Sequence, residues 1–385
     1  MKEIKLVNDT IDAKDLLKLI EWLETNPRLT KGNVTIDFEN AWSKWLGRKY
    51  SVFINSGSSA NLAMVYSLLL SNRLRNKKII LPAVSWTTTV TPAIHLGMEP
   101  ILCECDRETL GLDIDHLRKL VKEHQSSVLM LVHVLAFPNK MDEILQICNE
   151  NDIILLEDSC ESIGSTYDDI KTGNFGLMSS FSFYYGHHMS TIEGGMVSTD
   201  DEEIYRLLVS IRSHGWDRDF EKGYQSKIRE ENNVNDFRAL YTFYYPGFNL
   251  RSTDLQAFIG LNQLEKIDKF SSIRSENYKL YDSLIKNDYW KIKSDSRCFY
   301  SNFAYPIISP NINELVKELR DNNIECRPLV CGSIGLQPFW KKIYGETKFE
   351  FADIVHNCGL YLPNNQDITP DEIKLICDIV NRNTN

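Results

Sequence analysis

The stretch Ser182-Phe183-Tyr184-Tyr185-Gly186-His187-His188-Met189-Ser190-Thr191-Ile192-Glu193-Gly194-Gly195 decides the reading of this chain. It opens at the end of an apolar, strand-like run, Met178–Phe183, passes two adjacent histidines and closes on a Glu-Gly-Gly turn. Another strand-like run, Gly195–Ser198, follows at once. Upstream, Ile153–Leu156 reads as a buried strand that ends in Glu157-Asp158. An exposed acidic strand end is the plain alternative there, but the two acids directly follow an unbroken apolar run.

Further out, apolar runs at Ser51–Ile54, Lys78–Leu81, Glu99–Cys103 and Ser127–Val132 supply four more strands. Helix-length stretches separate them, at Ser59–Leu70, Thr88–His95, Asp115–Glu123 and Met141–Asn149. That alternation is the signature of a parallel α/β sheet. Helical periodicity resumes over Asp254–Leu264 and Ile267–Lys286, and Phe303–Ile308, Ile312–Asn322 and Asp371–Asn381 suggest a smaller α/β lobe. The expected division is a large lobe over residues 1–265, N-terminal segment included, and a small one over 266–385. The polar, charged stretch 217–236 reads as a loop.

Length and composition set limits. A chain of 385 residues can hold a large core. Its 43% hydrophobic and 25% charged content is that of a soluble globular protein. A net charge of -10 argues against nonspecific binding to nucleic acid or to a membrane surface. The N-terminus lacks the apolar core of a signal peptide, and no apolar run is long enough to span a bilayer, so a cytoplasmic protein is expected. The nine dispersed cysteines read as reduced thiols. Cys103-Glu104-Cys105 has no second pair at ligand spacing, so no metal site is expected.

Asn55-Ser56-Gly57-Ser58-Ser59-Ala60-Asn61 lies between a strand and a helix. A glycine there lets backbone approach an anion, and the helix N-terminus offers free N–H groups and a positive dipole end. A capped helix start without a ligand is the alternative. Trp86, just past the strand Lys78–Leu81, can stack on a flat ring or serve as core filler. The two histidines do not suit one metal ion, because neighbours on a strand point to opposite faces.

Together these segments resemble the DegT/DnrJ/EryC1/StrS family of sugar aminotransferases, from about Gly32 to the C-terminus. The resemblance implies the fold type I architecture of enzymes that use pyridoxal 5'-phosphate or pyridoxamine 5'-phosphate: a large, mostly parallel seven-stranded sheet domain and a smaller C-terminal α/β domain. Gly57, Ser58 and Ser182 are carried over as phosphate ligands, and Trp86 as the residue stacked on the cofactor ring. Asp158 takes the pyridine nitrogen, where a carboxylate keeps the ring protonated and electron-accepting. Glu161 stands where the family usually has a glutamine on the ring hydroxyl side. Asn249, in Pro246-Gly247-Phe248-Asn249-Leu250-Arg251, matches an asparagine that reaches the cofactor phosphate of the other subunit, which implies a homodimer with shared active sites. His214 and Arg251 are carried as substrate-side candidates, and Arg327, a charged residue that follows a strand, is a further one read from its position alone, with ordinary surface roles as their alternatives.

The family's cofactor lysine sits six residues before the glutamate of the Glu-Gly-Gly turn. Here that position is His187, with His188 as the alternative register. A histidine cannot tether an aldehyde cofactor covalently, and its unperturbed pKa near 6.5 suits a proton carrier. The resemblance therefore points to a lysine-less dehydratase branch. Its implied substrate is a nucleotide-linked 4-keto-6-deoxyhexose such as GDP-4-keto-6-deoxymannose, which would lose its C3 hydroxyl, with L-glutamate as amino donor. The implied product would feed a 3,6-dideoxyhexose of the colitose type for surface polysaccharide. Two other readings stand beside it: a sugar aminotransferase with another proton carrier, and a non-catalytic cofactor-binding or regulatory protein. The second is weakened because Asp158, Ser182 and Asn249 are all in place.

Overall fold

A central strand buried on both faces should read as an unbroken apolar run, and Val128-Leu129-Met130-Leu131-Val132 is one. In the computed structural model, which describes residues 3–384, it is an interior strand of a seven-stranded sheet. The strands are β1 (Tyr50–Ile54), β2 (Lys78–Pro82), β3 (Glu99–Cys103), β4 (Val128–Val132), β5 (Ile154–Asp158), β6 (Met178–Ser182) and β7 (Gly195–Thr199). Their spatial order is β1-β7-β6-β5-β4-β2-β3. The β3-β2-β4-β5-β6 pairings are parallel, and β7 runs antiparallel to both β6 and β1. The expected mostly parallel sheet is thus present. β3 carries Pro100 at the sheet edge, where a missing N–H costs no ladder bond.

Strand alternation sends side chains to two cores. Val128 and Met130 pack with Met64, Leu68 and Leu208, whereas Leu129 and Leu131 pack with Leu117, Ile144 and Ile147. The helix Gly57–Leu70 is apolar nearly all round because it lies between the sheet and the helices Thr87–His95 and Glu202–Arg212.

A second, antiparallel sheet is built from β8 (Tyr305–Ile308), β9 (Arg327–Pro328) and β10 (Gly359–Leu362), in the order β8-β10-β9. Tyr281, Leu315, Leu319, Ile373, Ile376 and Val380 close its core from the helices Ile267–Leu284, Ile312–Asp321 and Pro370–Thr384. Ile4 belongs to this core and bridges Ile324 in parallel.

The stretch 217–236 is not the loop that its polarity suggests. It contains the helix Lys222–Glu231, with Ile228 buried beside Phe220. Asp217 is buried and accepts from Arg229 Nε at 2.6 Å, so charges read as solvated are paired across the helix. The helices Ala13–Glu24 and Asn33–Leu46 were not foreseen either. The first is closed by an Asp12/Asp15 capping box; the second is held at its start by Asp254, which accepts from the Gly32 and Thr35 N–H groups.

Candidate active site

The C-terminal ends of β4, β5 and β6 finish side by side: Val132 pairs with Asp158, and Asp158 with Ser180. They open into a cavity of about 640 Å³. Asp158 lines its floor and is 3% exposed. A buried carboxylate needs donors. Asn61 Nδ2 and Thr89 Oγ1 each donate to Oδ2 at 2.8 Å, and the Cys160 N–H to Oδ1 at 3.1 Å. Asn61 in turn accepts from Ser180 Oγ at 2.5 Å, tying helix, β5 and β6 together. Asn61 and Thr89 were not assigned from sequence. The only cue is spacing, since Asn61 is one helical turn past Gly57.

The preceding acid has a different task. Glu157 is fully buried and accepts from the Gly173, Phe175 and Gly176 N–H groups, with His133 Nε2 at 3.2 Å. Burial alone would raise its pKa; the His133 contact, the Gly176 N–H and Arg48 outweigh that and hold the carboxyl below its usual range. Glu157 is a staple of the fold.

At the start of the Gly57–Leu70 helix, Ser56 is the N-cap and its hydroxyl accepts from the Ser59 N–H at 3.1 Å. Gly57 is required by contact: a Cβ there would stand 2.6 Å from Ser182 Cβ and 3.0 Å from Cys160 Sγ. Gly57, Ser58 and Ser182 all line the cavity. Ser58 Oγ also donates to Thr88 Oγ1 at 3.1 Å. Trp86 precedes the helix Thr87–His95, is 53% exposed and lines the same cavity.

The loop after β6 is pinned at its base, where the Phe183 N–H donates to the Gly194 carbonyl and the Thr191 N–H to the Phe183 carbonyl, both at 2.9 Å. Neither glycine of the turn can carry a side chain. A Cβ on Gly194 would meet Thr191 Oγ1 at 2.2 Å, and one on Gly195 the Ser56 backbone at 2.3 Å. Within this loop the two histidines part. His187 lines the cavity, with its ring 5.2 Å from that of Phe303, and its Nδ1 is buried without a hydrogen-bond partner among the described residues. Burial pushes its pKa down to about 4; the Cys160 backbone and Asp158 offset part of this, and Arg274 adds to it. The imidazole is therefore neutral at neutral pH. His188 is fully buried and does not line the cavity: its Nε2 lies 2.6 Å from the Ser301 carbonyl. The geometry thus goes against the alternative register.

Glu161 reaches the cavity from beyond β5. Burial lifts its pKa to about 7; the Leu135 N–H, donating at 2.7 Å, opposes this and Asp158 reinforces it. That N–H is aimed by an uncommon backbone, with φ of 49° at Leu135 and 72° at Ala136. Asn302 Nδ2 and Ser165 Oγ hold the two carbonyls.

Arg327, on β9, lines the cavity and is exposed. His214, Asn249 and Arg251 do not line it. They lie on segments that extend the end of β1, with bridges Ser213–Asn249 and Ile54–Arg251, and the Asn249 side chain faces outward. Arg212, which precedes them, is buried against Glu39 and donates to the Phe53 carbonyl at 2.9 Å. Sequence reading missed the cavity wall formed by Lys5, Val7, Glu325 and Tyr361. These come from the chain's two ends, and only tertiary pairing brings them to the site.

The DegT/DnrJ/EryC1/StrS aminotransferase family profile matches residues 10–381. The chain belongs to this family. It is 35% identical over 374 residues to a GDP-4-keto-6-deoxy-D-mannose 3-dehydratase of Escherichia coli O55:H7, covering 94% of this chain and 96% of that protein. A crystal structure of GDP-4-keto-6-deoxymannose-3-dehydratase with a trapped PLP-glutamate geminal diamine superposes with a TM-score of 0.90 at 33% identity, over 98% of this chain and all of that one. A variant of that enzyme with bound GDP-perosamine superposes with a TM-score of 0.87 at 32% identity, over 98% and 100%.

The residues present fit a phosphate-bearing pyridine cofactor. Gly57 leaves open a cradle at a helix N-terminus that a Cβ would fill. Asp158 is a buried carboxylate, held by three donors, that lines the same cavity. Trp86 offers a large aromatic face on the wall between them.

Proposed function

We propose that this chain is a 3-dehydratase of nucleotide-linked 4-keto-6-deoxyhexoses, with GDP-4-keto-6-deoxymannose as substrate and pyridoxal/pyridoxamine 5'-phosphate as cofactor. One observation carries the reading: a neutral imidazole, His187, lines the cavity at the position that the family gives to lysine, in sight of a fully supported Asp158. The relatives named above support it, since they are 3-dehydratases of that sugar.

Bound in its amine form, the cofactor supplies an amino group for the 4-keto carbon and a protonated ring that accepts an electron pair. Gly57, Ser58 and Ser182 hold its phosphate, joined by Asn249 of a partner subunit. Trp86 would stack against the ring, Asp158 would keep the ring nitrogen protonated, and Glu161 would stand on the side of the ring hydroxyl. His187 takes up a proton on an imidazole nitrogen and returns it to the departing C3 hydroxyl, which leaves as water. A histidine has no amine to bond the cofactor, so the site admits and releases it freely. L-glutamate would be the amino donor.

In this reading the active enzyme is a homodimer, residues 1–265 form the cofactor lobe and 266–385 the smaller one, and Arg251, Arg327 and His214 lie toward the substrates. A cytoplasmic setting accords with nine free cysteines.

The test is the mass of the sugar product after incubation with pyridoxal phosphate, glutamate and GDP-4-keto-6-deoxymannose. A product short by one oxygen, with ammonia released, is expected. A product with its keto oxygen exchanged for an amine would overturn the dehydratase in favour of an aminotransferase.

A further inference from the structure

The cavity has an unbalanced lining for a substrate with a diphosphate. Among the described residues, Glu3, Asp158, Glu161, Glu193 and Glu325 bring five carboxyl groups to it, whereas Lys5 and Arg327 bring the permanent cations. Neither cation forms an ion pair among the described residues. Among the described lining residues they are the permanent positive charges that an anionic ligand entering this acidic cavity would meet.

Lys5 is held in place by its backbone. The Ile4 N–H donates to the Asn323 carbonyl at 2.9 Å and the Glu325 N–H to the Ile4 carbonyl at 3.0 Å. Asn365 Nδ2 donates to the Lys5 carbonyl at 2.8 Å, and Glu325 Oε2 accepts from the Leu6 N–H at 2.8 Å. Ile4 and Leu6 are buried, so strand alternation turns Lys5 outward to the cavity side, where it is exposed. The strap then crosses to the histidine loop. A Val7 methyl lies 3.8 Å from where a Gly186 Cβ would stand, and Thr10 Oγ1 accepts from the Ser190 N–H at 3.1 Å. Lys5 thus sits on a tethered segment between β9, which carries Arg327, and the loop that carries His187.

We propose that Lys5 is a ligand of the substrate's diphosphate, working with Arg327 across the cavity mouth. The inference rests on the nucleotide-sugar reading above. The cofactor phosphate is served by the helix start at Gly57 and the C4 carbon must lie by His187, so the diphosphate falls toward the mouth, where these cations stand. An ammonium there is a point charge without fixed geometry, suited to a flexible diphosphate.

The experiment uses GDP as probe, with calorimetry on the cofactor-loaded protein, beside steady-state kinetics with GDP-4-keto-6-deoxymannose. Lys5→Met keeps length and removes charge; Lys5→Arg restores charge. Lys5→Met is expected to weaken GDP binding and raise KM about ten-fold and to flatten the salt dependence of both, with Lys5→Arg recovering most of the loss. GDP affinity in Lys5→Met within two-fold of the parent would overturn the proposal. So would an equal loss in Lys5→Arg, which would mean that the strap and not the charge had been damaged. A parent protein that binds GDP through Lys5 but does not dehydrate the sugar would sink the dehydratase reading and leave this inference standing. A parent that binds no GDP would overturn both.

Discussion

Gly57→Ala tests the cofactor cradle through one added carbon. That carbon would lie 2.6 Å from Ser182 Cβ, 3.0 Å from Cys160 Sγ and 3.1 Å from Ser182 Oγ. Carbon atoms in contact prefer about 3.5–4.0 Å, so either the helix start or the end of β6 must move by about 1 Å. Ser182 Cβ cannot swing aside, because β6 is paired with both β5 and β7. Overpacking of this kind costs about 1–3 kcal/mol. The same shift takes the first N–H groups of the helix off the phosphate position, so pyridoxal phosphate affinity should fall about 10- to 100-fold, read from the cofactor's absorbance in a titration. Denaturant unfolding of Gly57→Ala, Ser182→Gly and the double variant isolates the contact. Without the Ser182 Cβ the alanine should cost at least about 1 kcal/mol less stability than it does with serine present. An equal cost in both backgrounds would refute the contact argument. Undiminished cofactor affinity in Gly57→Ala would refute the cradle.

His187→Asn should keep the cofactor titration curve and lose about 10²-fold or more in dehydration rate; full activity would remove His187 from proton transfer. Because its pKa is lowered to about 4, the unfolded chain binds the extra proton between about pH 6.5 and 4. The group's contribution to stability is thus complete above about pH 6.5 and is lost as pH falls to 4, and in His187→Asn that part of the acid loss should vanish from denaturant curves. Glu161 runs the other way: with a folded pKa near 7, its contribution is complete below about pH 4.5 and is lost as pH rises through 7. Glu161→Gln should therefore be more stable than the parent at pH 8, by roughly 2 kcal/mol, and no more stable at pH 4. If Asn249 serves the other subunit's site, inactive Asn249→Ala and His187→Asn chains should regain activity when mixed. A mixed dimer holds one site with both residues intact, and a mixture as inactive as its parts would place Asn249 in its own chain's site.

What could be read in advance follows from how each signal is written. β4 to β7 and their helices are local patterns: five-residue strand runs of which Val128–Val132 is wholly apolar, a Ser-Gly-Ser helix start and a Glu-Gly-Gly turn whose glycines prove to be sterically required. Gly57, Ser58, Trp86, Asp158, Glu161, Ser182 and His187 line one cavity because strand ends of the large, mostly parallel sheet, and the loops behind them, open on one side, and Arg327 reaches it from the second sheet. The misreadings share another cause. Stretch 217–236 looks like a loop because its polarity is visible and the pairing of Asp217 with Arg229 is not. Lys5 and Glu325 are 320 positions apart in sequence and adjacent only through a parallel bridge at Ile4 and Ile324. Periodicity cannot report a contact of that kind, since neither partner's neighbourhood changes its local pattern. Asn249 differs again: its motif suggests a role toward a second subunit, but its side chain is exposed and outside its own chain's cavity, so a single chain does not display that role. The mixing experiment reads that residue because it supplies the second chain.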